Sequence, residues 1–337
     1  MPGKYGLQPL FMLSAADLTI NAQPAPLPSP QPKGRVTINV VALDSAGMPV
    51  PDLAASEFKV IDNGSPQRIL SMQLNQAAQP RPIVVLFDLL NAGETSRGAV
   101  WSTIKTSFAH LQPSEPLYLY LLVPDGSLYA VHGFPRTPAA PSPADYSWIR
   151  DIGPLLDEAM RKTTQVKPLE VRLASPVAAT TRIKTTYRAL DEMRLLMSDS
   201  PGSKDLLWVT YGVPSDVQLY DHSWFYGTPL LRQLGEQYVR SGITIYTADP
   251  GMNLQRGILN RNSLDILTSA TGGRAFPTID LRHAIARMKA DARMKYQIEY
   301  QPPPANWDGK YHKLHVEVAR KGVRLQAESG YYAVAGS

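Results

Sequence analysis

Hydrophobic positions change period twice along the chain. From Val36 to Leu74 they alternate: Val36, Ile38, Val40 and Ala42 stand between polar or lesser neighbours, and Asp44-Ser45-Ala46-Gly47 supplies a turn. Phe58-Lys59-Val60-Ile61 runs into Asp62-Asn63-Gly64, a hairpin signal, and Arg68 to Leu74 is expected to return antiparallel. The far end has the same period. Tyr296–Tyr300, His312–Val318 and Val323–Ala327 are strand candidates, joined at Trp307-Asp308-Gly309 and Lys321-Gly322. Neither flank alone carries enough strands for a stable sheet. Together they are expected to make one small antiparallel β-domain, with the middle of the chain inserted between them.

The middle, from Arg81 to about Lys295, alternates strand with helix. Ile83-Val84-Val85-Leu86-Phe87 is apolar throughout, as a strand buried on both faces should be. Further strands are predicted at 117–123, 127–132, 205–210 and 243–248. Helices are predicted at 96–111, 146–161, 181–198, 229–241, 262–271 and 278–294. On the last of these Leu281, Ile285, Met288 and Ala292 share one face, and Thr278 with Asp280 can start it. Pro124-Asp125-Gly126 forces 127–132 to run antiparallel at a sheet edge, while the other strands should be parallel. The fold class is therefore α/β: a doubly wound, mostly parallel sheet with one antiparallel edge strand, plus the β-domain from both flanks. The expected domains are 34–78 and 295–335 for the two parts of the β-domain and 80–294 for the α/β domain.

Residues 1–33 read as a leader and linker. Leu10 to Ala16 is a short apolar run after Lys4, a weak or truncated export signal or a plain leader, and too short to span a bilayer. Pro24, Pro26, Pro28, Pro30 and Pro32 then favour an extended tether. The whole chain has 337 residues and no cysteine, which excludes thiol catalysis, zinc ribbons and disulfide scaffolds. Its formal net charge of +5 is too small to suggest nucleic acid.

The order of several blocks resembles the von Willebrand factor A (vWA) family, in its bacterial, acidobacterial-type branch. They are VTINVVALDSAGMPVPDLAASEFKVIDNGSPQRI (36–69), PIVVLFDLLN (82–91), PGSKDLLWVTYGVPSD (201–216), ATGGRAF (270–276) and the closing stretch from 295 to 333. The resemblance implies a vWA domain with β flanks, usually in exported proteins, with partner binding as its general role. It also implies a Mg²⁺ loop reading D-x-S-x-S, completed by a Thr from a second loop and an Asp from a third. Here Asp88 is present, but Leu90 and Ala92 stand at the serine positions and Tyr211 where the third-loop Asp belongs. Thr181, Thr185 and Thr186 are all candidates for the second loop. No cofactor is expected, although Asn91, Glu94 or Ser96 could rebuild a Mg²⁺ site. Asp88 is either a relict acid facing a partner or a strand-end residue bonding nearby backbone.

Other constellations carry less. His312 and His315 should point to opposite faces of a strand and cannot share a metal. Asp221-His222-Ser223 has the residue types of a hydrolase triad without an elbow motif around the serine. The loop from Gly212 to Thr228, with Tyr211, Tyr220, Trp224, Phe225 and Tyr226, is a candidate partner surface or a satellite core. Between Arg282 and Arg324 ten Lys/Arg face four acids, either an anion-binding patch or a solvated face. The expectation is a non-catalytic, adhesion-type protein-binding module, secreted or in the periplasm or cell envelope. The alternatives are a structural envelope component binding anionic polymer, or a hydrolase.

Overall fold

The computed structural model describes residues 34–75, 81–92, 94–109, 111, 116–135, 147–168, 175–200, 202–249, 257–277 and 280–333. The leader and the proline arm lie outside these. The amino-terminal flank forms β1 (Val36–Leu43), β2 (Phe58–Asp62), β3 (Ser65–Gln67) and β4 (Ile69–Asn75). The middle continues with β5 (Ile83–Asp88), α1 (Glu94–Ala109), β6 (Leu117–Leu122), β7 (Leu128–His132), α2 (Ile152–Thr164), α3 (Pro176–Ser198) and β8 (Lys204–Val209). A short ribbon of β9 (Asp216–Gln218) and β10 (Trp224–Tyr226) precedes α4 (Thr228–Arg240), β11 (Ile243–Ala248), α5 (Gly257–Thr271), β12 (Ala275–Phe276) and α6 (Leu281–Arg293). The closing flank gives β13 (Lys295–Tyr300), β14 (Tyr311–Val318), β15 (Arg324–Ala327) and β16 (Gly330–Tyr332).

The central sheet runs β12-β11-β8-β5-β6-β7, parallel except for β7 at the edge. Every residue of β5 is buried, and alternation divides them between two cores. Ile83, Val85 and Phe87 meet α1, α2 and α6, through Ile104, Leu156 and Met288 among others. Val84 and Leu86 meet α3, α4 and α5, through Leu190, Tyr238 and Leu267. This is the doubly wound sheet that the strand–helix alternation predicts. Strand order reverses between β5 and β8, and at such a switch point the carboxyl ends of the strands leave a crevice.

The flanks interleave more closely than their sequences suggest. One antiparallel sheet is β15-β1-β13-β4 and the other β16-β14-β2-β3, so each contains strands from both ends of the chain. They share a core of Ile38, Val40, Val60, Tyr296, Ile298 and Leu314. Contrary to the hairpin expectation, the stretch Arg68–Leu74 does not return against β2. The short β3 closes that hairpin, and β4 crosses to the other sheet to pair with β13. Its Met72 and Leu74 gain a packing partner in the shared core that a simple hairpin would not provide. The helix predicted at 181–198 begins earlier. Ser175 Oγ accepts from Ala178 N–H and Pro176 occupies the first turn, so residues 176–180 join it. The helix predicted at 146–161 starts at Ile152, after a 3₁₀ turn over Trp148–Asp151. Asp280 caps α6 by accepting from Arg282 N and His283 N, while Thr278 lies outside the described residues.

Sandwich and central sheet are joined through buried charge. Arg81 Nη2 lies 2.8 Å from Asp205 Oδ1, and Arg274 forks onto Asp291 while donating to Gly47 O at 3.1 Å. Lys295 adds its ammonium to the field of Asp205, Glu328 and Asp291. Burial, with Arg81 nearby, pushes Lys295 down to about 8, and the same two causes push Lys204 down to about 8. Burial raises the Asp205, Asp291 and Glu328 carboxyls, with the neighbouring cations and Asn39 opposing it.

Two outcomes follow from this cluster. Arg274→Ala leaves the Asp291 carboxylate buried and unpaired, and is expected to cost about 3–5 kcal/mol in urea unfolding. The second is a pH profile. A lysine whose folded pKa lies below its unfolded value binds more protons when unfolded, so stability should rise from about pH 8 toward pH 10. Above the unfolded tyrosine value of 10.0 the sign reverses. Buried Tyr187, Tyr238 and Tyr246 hold their protons in the folded state only, and stability should fall again. Denaturation midpoints across pH 7–11 check this shape.

Candidate functional site

Asp88 ends β5 at the switch point and is buried. Ionised, it accepts three hydrogen bonds from two segments, the turn after β5 and the end of β8. Asn91 N–H reaches Oδ1 at 2.9 Å, while Asn91 Nδ2 and Thr210 Oγ1 both reach Oδ2 at 2.7 Å. The same Asn91 amide donates to Thr186 Oγ1 on α3 at 2.9 Å, and Thr210 Oγ1 accepts from Gly212 N–H at 3.0 Å. The carboxylate needs a donor at Oδ2, which fixes the orientation of the Asn91 amide: nitrogen toward Asp88. Burial raises the Asp88 carboxyl, and the Asn91, Thr210 and Trp208 groups oppose that shift by favouring the charged form.

Of the three threonines left open by the sequence, only Thr186 reaches this network. It sits on α3 rather than in a loop, because the helix begins at Pro176. Thr181 Oγ1 bonds back to Val177 O at 3.0 Å. The Thr185 methyl packs at Gly126, whose φ of +88° lets the turn before β7 approach the helix. Leu90 and Ala92, at the positions of the family's serines, are buried in the two apolar cores. The side chains of Glu94 and Ser96 lie outside the described residues. Sequence reading missed Thr210, which stands one residue past β8 beside Tyr211. The signal was available: in the parallel register Val209 pairs with Phe87, which sets the next residue on β8 against Asp88.

The five aromatics divide into two groups. Tyr211 packs against the core under α1 and α6, and Phe225 against the core under α3 and α4 with Lys184 Nζ 5.7 Å from its ring centre. Tyr220, Trp224 and Tyr226 are 71%, 50% and 63% exposed. Trp224 and Tyr226 lie two apart on β10, so they share one face, with ring centres 6.3 Å apart and planes 22° apart. The ribbon has a firm base. Asp216 accepts from Thr228 N and Oγ1, and Gly227 N donates to Ser215 O. A side chain at Gly227 would strike that carbonyl at 2.4 Å. At the ribbon's tip Asp221, His222 and Ser223 form a turn, in which Ser223 N and Oγ both donate to Asp221 Oδ1 and His222 has φ 64°.

In the sandwich His312 turns inward, with Nδ1 2.8 Å from Asp62 Oδ1, while His315 is 68% exposed. The two therefore take opposite faces, as their spacing predicts. Asp62 Oδ2 also accepts from Tyr300 at 3.0 Å and Tyr331 at 2.8 Å, a network the sequence did not suggest.

No protein-family model matches the chain, and no curated protein does. Among solved structures, a von Willebrand factor type A protein from Catenulispora acidiphila is 10% identical, with 91% of this chain and 74% of that one covered and a TM-score of 0.40. Manganese-loaded Plasmodium vivax TRAP is 13% identical over 81% of this chain and 98% of that one, with a TM-score of 0.38. The vWF domain of the pilus tip protein Mfa5 from Porphyromonas gingivalis is 11% identical over 63% and 94%, at 0.37. Likenesses this loose say nothing of function. Strand order and the antiparallel edge give this chain the doubly wound α/β fold that the resemblance to the vWA family implies.

Asn91→Asp would set a second carboxylate beside Asp88. Two buried like charges within hydrogen-bond reach are expected to destabilise the fold by about 2–4 kcal/mol at pH 7. The deficit should shrink toward pH 5 as the pair takes up a proton, which urea midpoints at the two pH values measure.

Proposed function

We propose that the chain is a non-catalytic binding module, secreted or held at a cell surface, that captures a protein partner through its aromatic ribbon without a metal ion. One observation carries the reading: Tyr220, Trp224 and Tyr226 stand in solvent on a ribbon whose base is stitched to α4. Large aromatics held rigidly in water cost solvation and lose little side-chain entropy when covered, the combination found at interface anchors. Among the described residues no helix is long and apolar enough to cross a membrane.

The metal-free part rests on the Asp88 network. A Mg²⁺ ion asks for six oxygens in near-octahedral geometry at about 2.0–2.1 Å. Here Asp88, Thr186 and Thr210 supply oxygens, Leu90 and Ala92 supply none, and the Asn91 amide nitrogen bridges Asp88 and Thr186. That donor set does not fit the ion. The amide instead presents its two N–H groups to the two oxygens that would have shared it.

Thermal unfolding of the full chain should coincide in EDTA and in about 10 mM Mg²⁺ or Mn²⁺. A site with a dissociation constant of about 0.1 mM would add about 2.7 kcal/mol, so a shift of several degrees that Asp88→Ala abolishes would overturn the metal-free reading. For the surface, the combined change of Tyr220, Trp224 and Tyr226 to alanine should lower binding of labelled protein to envelope extracts by about ten-fold or more. Phe225→Ala is the wrong probe, since its ring supports the core. Undiminished binding by the triple variant would move the partner elsewhere.

A further inference from the structure

We infer that the arginine-lined cavity between β12, α6 and β15 binds a small oxyanion carrying two or more charges. The cavity has a volume of about 340 Å³ and lies where the edge of the central sheet meets the edge of the sandwich. Its walls include Arg274, Arg287, Arg324 and His283, with Phe276 and Gln326, and among the described residues no carboxylate lines it.

The three guanidinium groups have different degrees of freedom. Arg274 is committed: Asp291 neutralises it, and its guanidinium carbon lies 5.9 Å from the centre of the Phe276 ring. Arg287 has no carboxylate partner among the described residues. It donates to Gly47 O at 2.9 Å and Ala46 O at 3.4 Å, touches the Met48 sulfur, and lies 3.4 Å from His283 Nε2. Carbonyl oxygens orient that charge without cancelling it. Arg324, on the sandwich edge, makes no side-chain hydrogen bond or ion pair among the described residues. Two guanidinium groups without a carboxylate partner among the described residues therefore line one cavity from opposite sides of the domain junction.

The shape narrows the class. A planar guanidinium presents paired N–H donors matched to carboxylate or phosphate oxygens, and two such forks ask for a ligand with more than one charge. The volume is at the lower end for small-molecule sites, which suits a compact anion. Gln326 lines the cavity as a neutral polar side chain beside the two guanidinium groups. Phosphate esters and hydroxylated polycarboxylates share this chemistry. The basic surplus between Arg282 and Arg324 thus has a specific part, Arg287 and Arg324, within a largely solvated remainder.

Calorimetric titration of the full chain with inorganic phosphate, pyrophosphate and citrate at low ionic strength tests the site. Pyrophosphate or citrate should bind about ten-fold or more tightly than phosphate, and whichever binds better identifies the class. Arg324→Ala should weaken that binding about ten-fold without moving the unfolding midpoint, since the side chain supports nothing else. Lys321→Ala removes an equal charge outside the cavity and should leave binding intact. Arg287→Lys, which keeps the charge and loses the fork, should fall between them. Absence of saturable binding by all three anions up to about 10 mM would overturn the proposal. So would wild-type binding by the Arg324→Ala variant, or equal weakening by Lys321→Ala.

Discussion

A carboxylate sealed from water at the point where strand order reverses sets terms for everything around it. Asp88 cannot be buried as an ion unless donors reach both oxygens. Those donors come from the turn after β5 and from the end of β8, and the Asn91 amide also donates to Thr186 on α3. The network therefore fixes the spacing of three elements that no apolar contact would fix as narrowly, because hydrogen-bond lengths tolerate a few tenths of an ångström where apolar packing tolerates more. Tyr211 and the ribbon follow directly from that clamped end of β8. The rigidity of the proposed binding surface begins with a residue that the surface does not contain.

The architecture of the flanks adds a second constraint. Both sandwich sheets contain strands from each end of the chain, so the central domain is an insertion whose ends must lie close together. Arg81 and Lys295, the residues that enter and leave it, share the field of Asp205. The two cations repel each other, and the Asp205 carboxylate between them offsets that repulsion where desolvation is costly and unpaired charge costlier still. This explains why a lysine stands at the buried start of β13, a position that strand patterning alone would give to an apolar residue; Lys204, at the start of β8, instead donates to the Ser200 and Gly202 carbonyls.

Much of this was legible in sequence because it rests on periodicity. The all-buried β5, the helical faces and the antiparallel edge after Pro124-Asp125-Gly126 each follow from residue spacing alone. What escaped was set by contacts distant along the chain. Arg68–Leu74 has a good hairpin pattern, but its apolar side chains find a deeper core across the sandwich, and the short β3 suffices to close the turn. Thr186 could not be told from Thr181 and Thr185, since the choice depends on how far α3 rotates as it packs on the sheet. Phe225 and Trp224 read alike in sequence, and only the alternation along β10 sends one inward and the other outward.

Asp62 shows the same physics solved with different residues. It too ends a strand and is fully buried, and it is satisfied by His312, Tyr300 and Tyr331. All three partners lie more than two hundred residues later in the chain. Without the closing flank, β2 would carry a carboxylate that cannot be buried without a large desolvation penalty, so the two flanks depend on each other for their sheets. The cavity between β12 and β15 depends on the same pairing, because Arg324 belongs to the closing flank while Arg274 and Arg287 belong to the central domain.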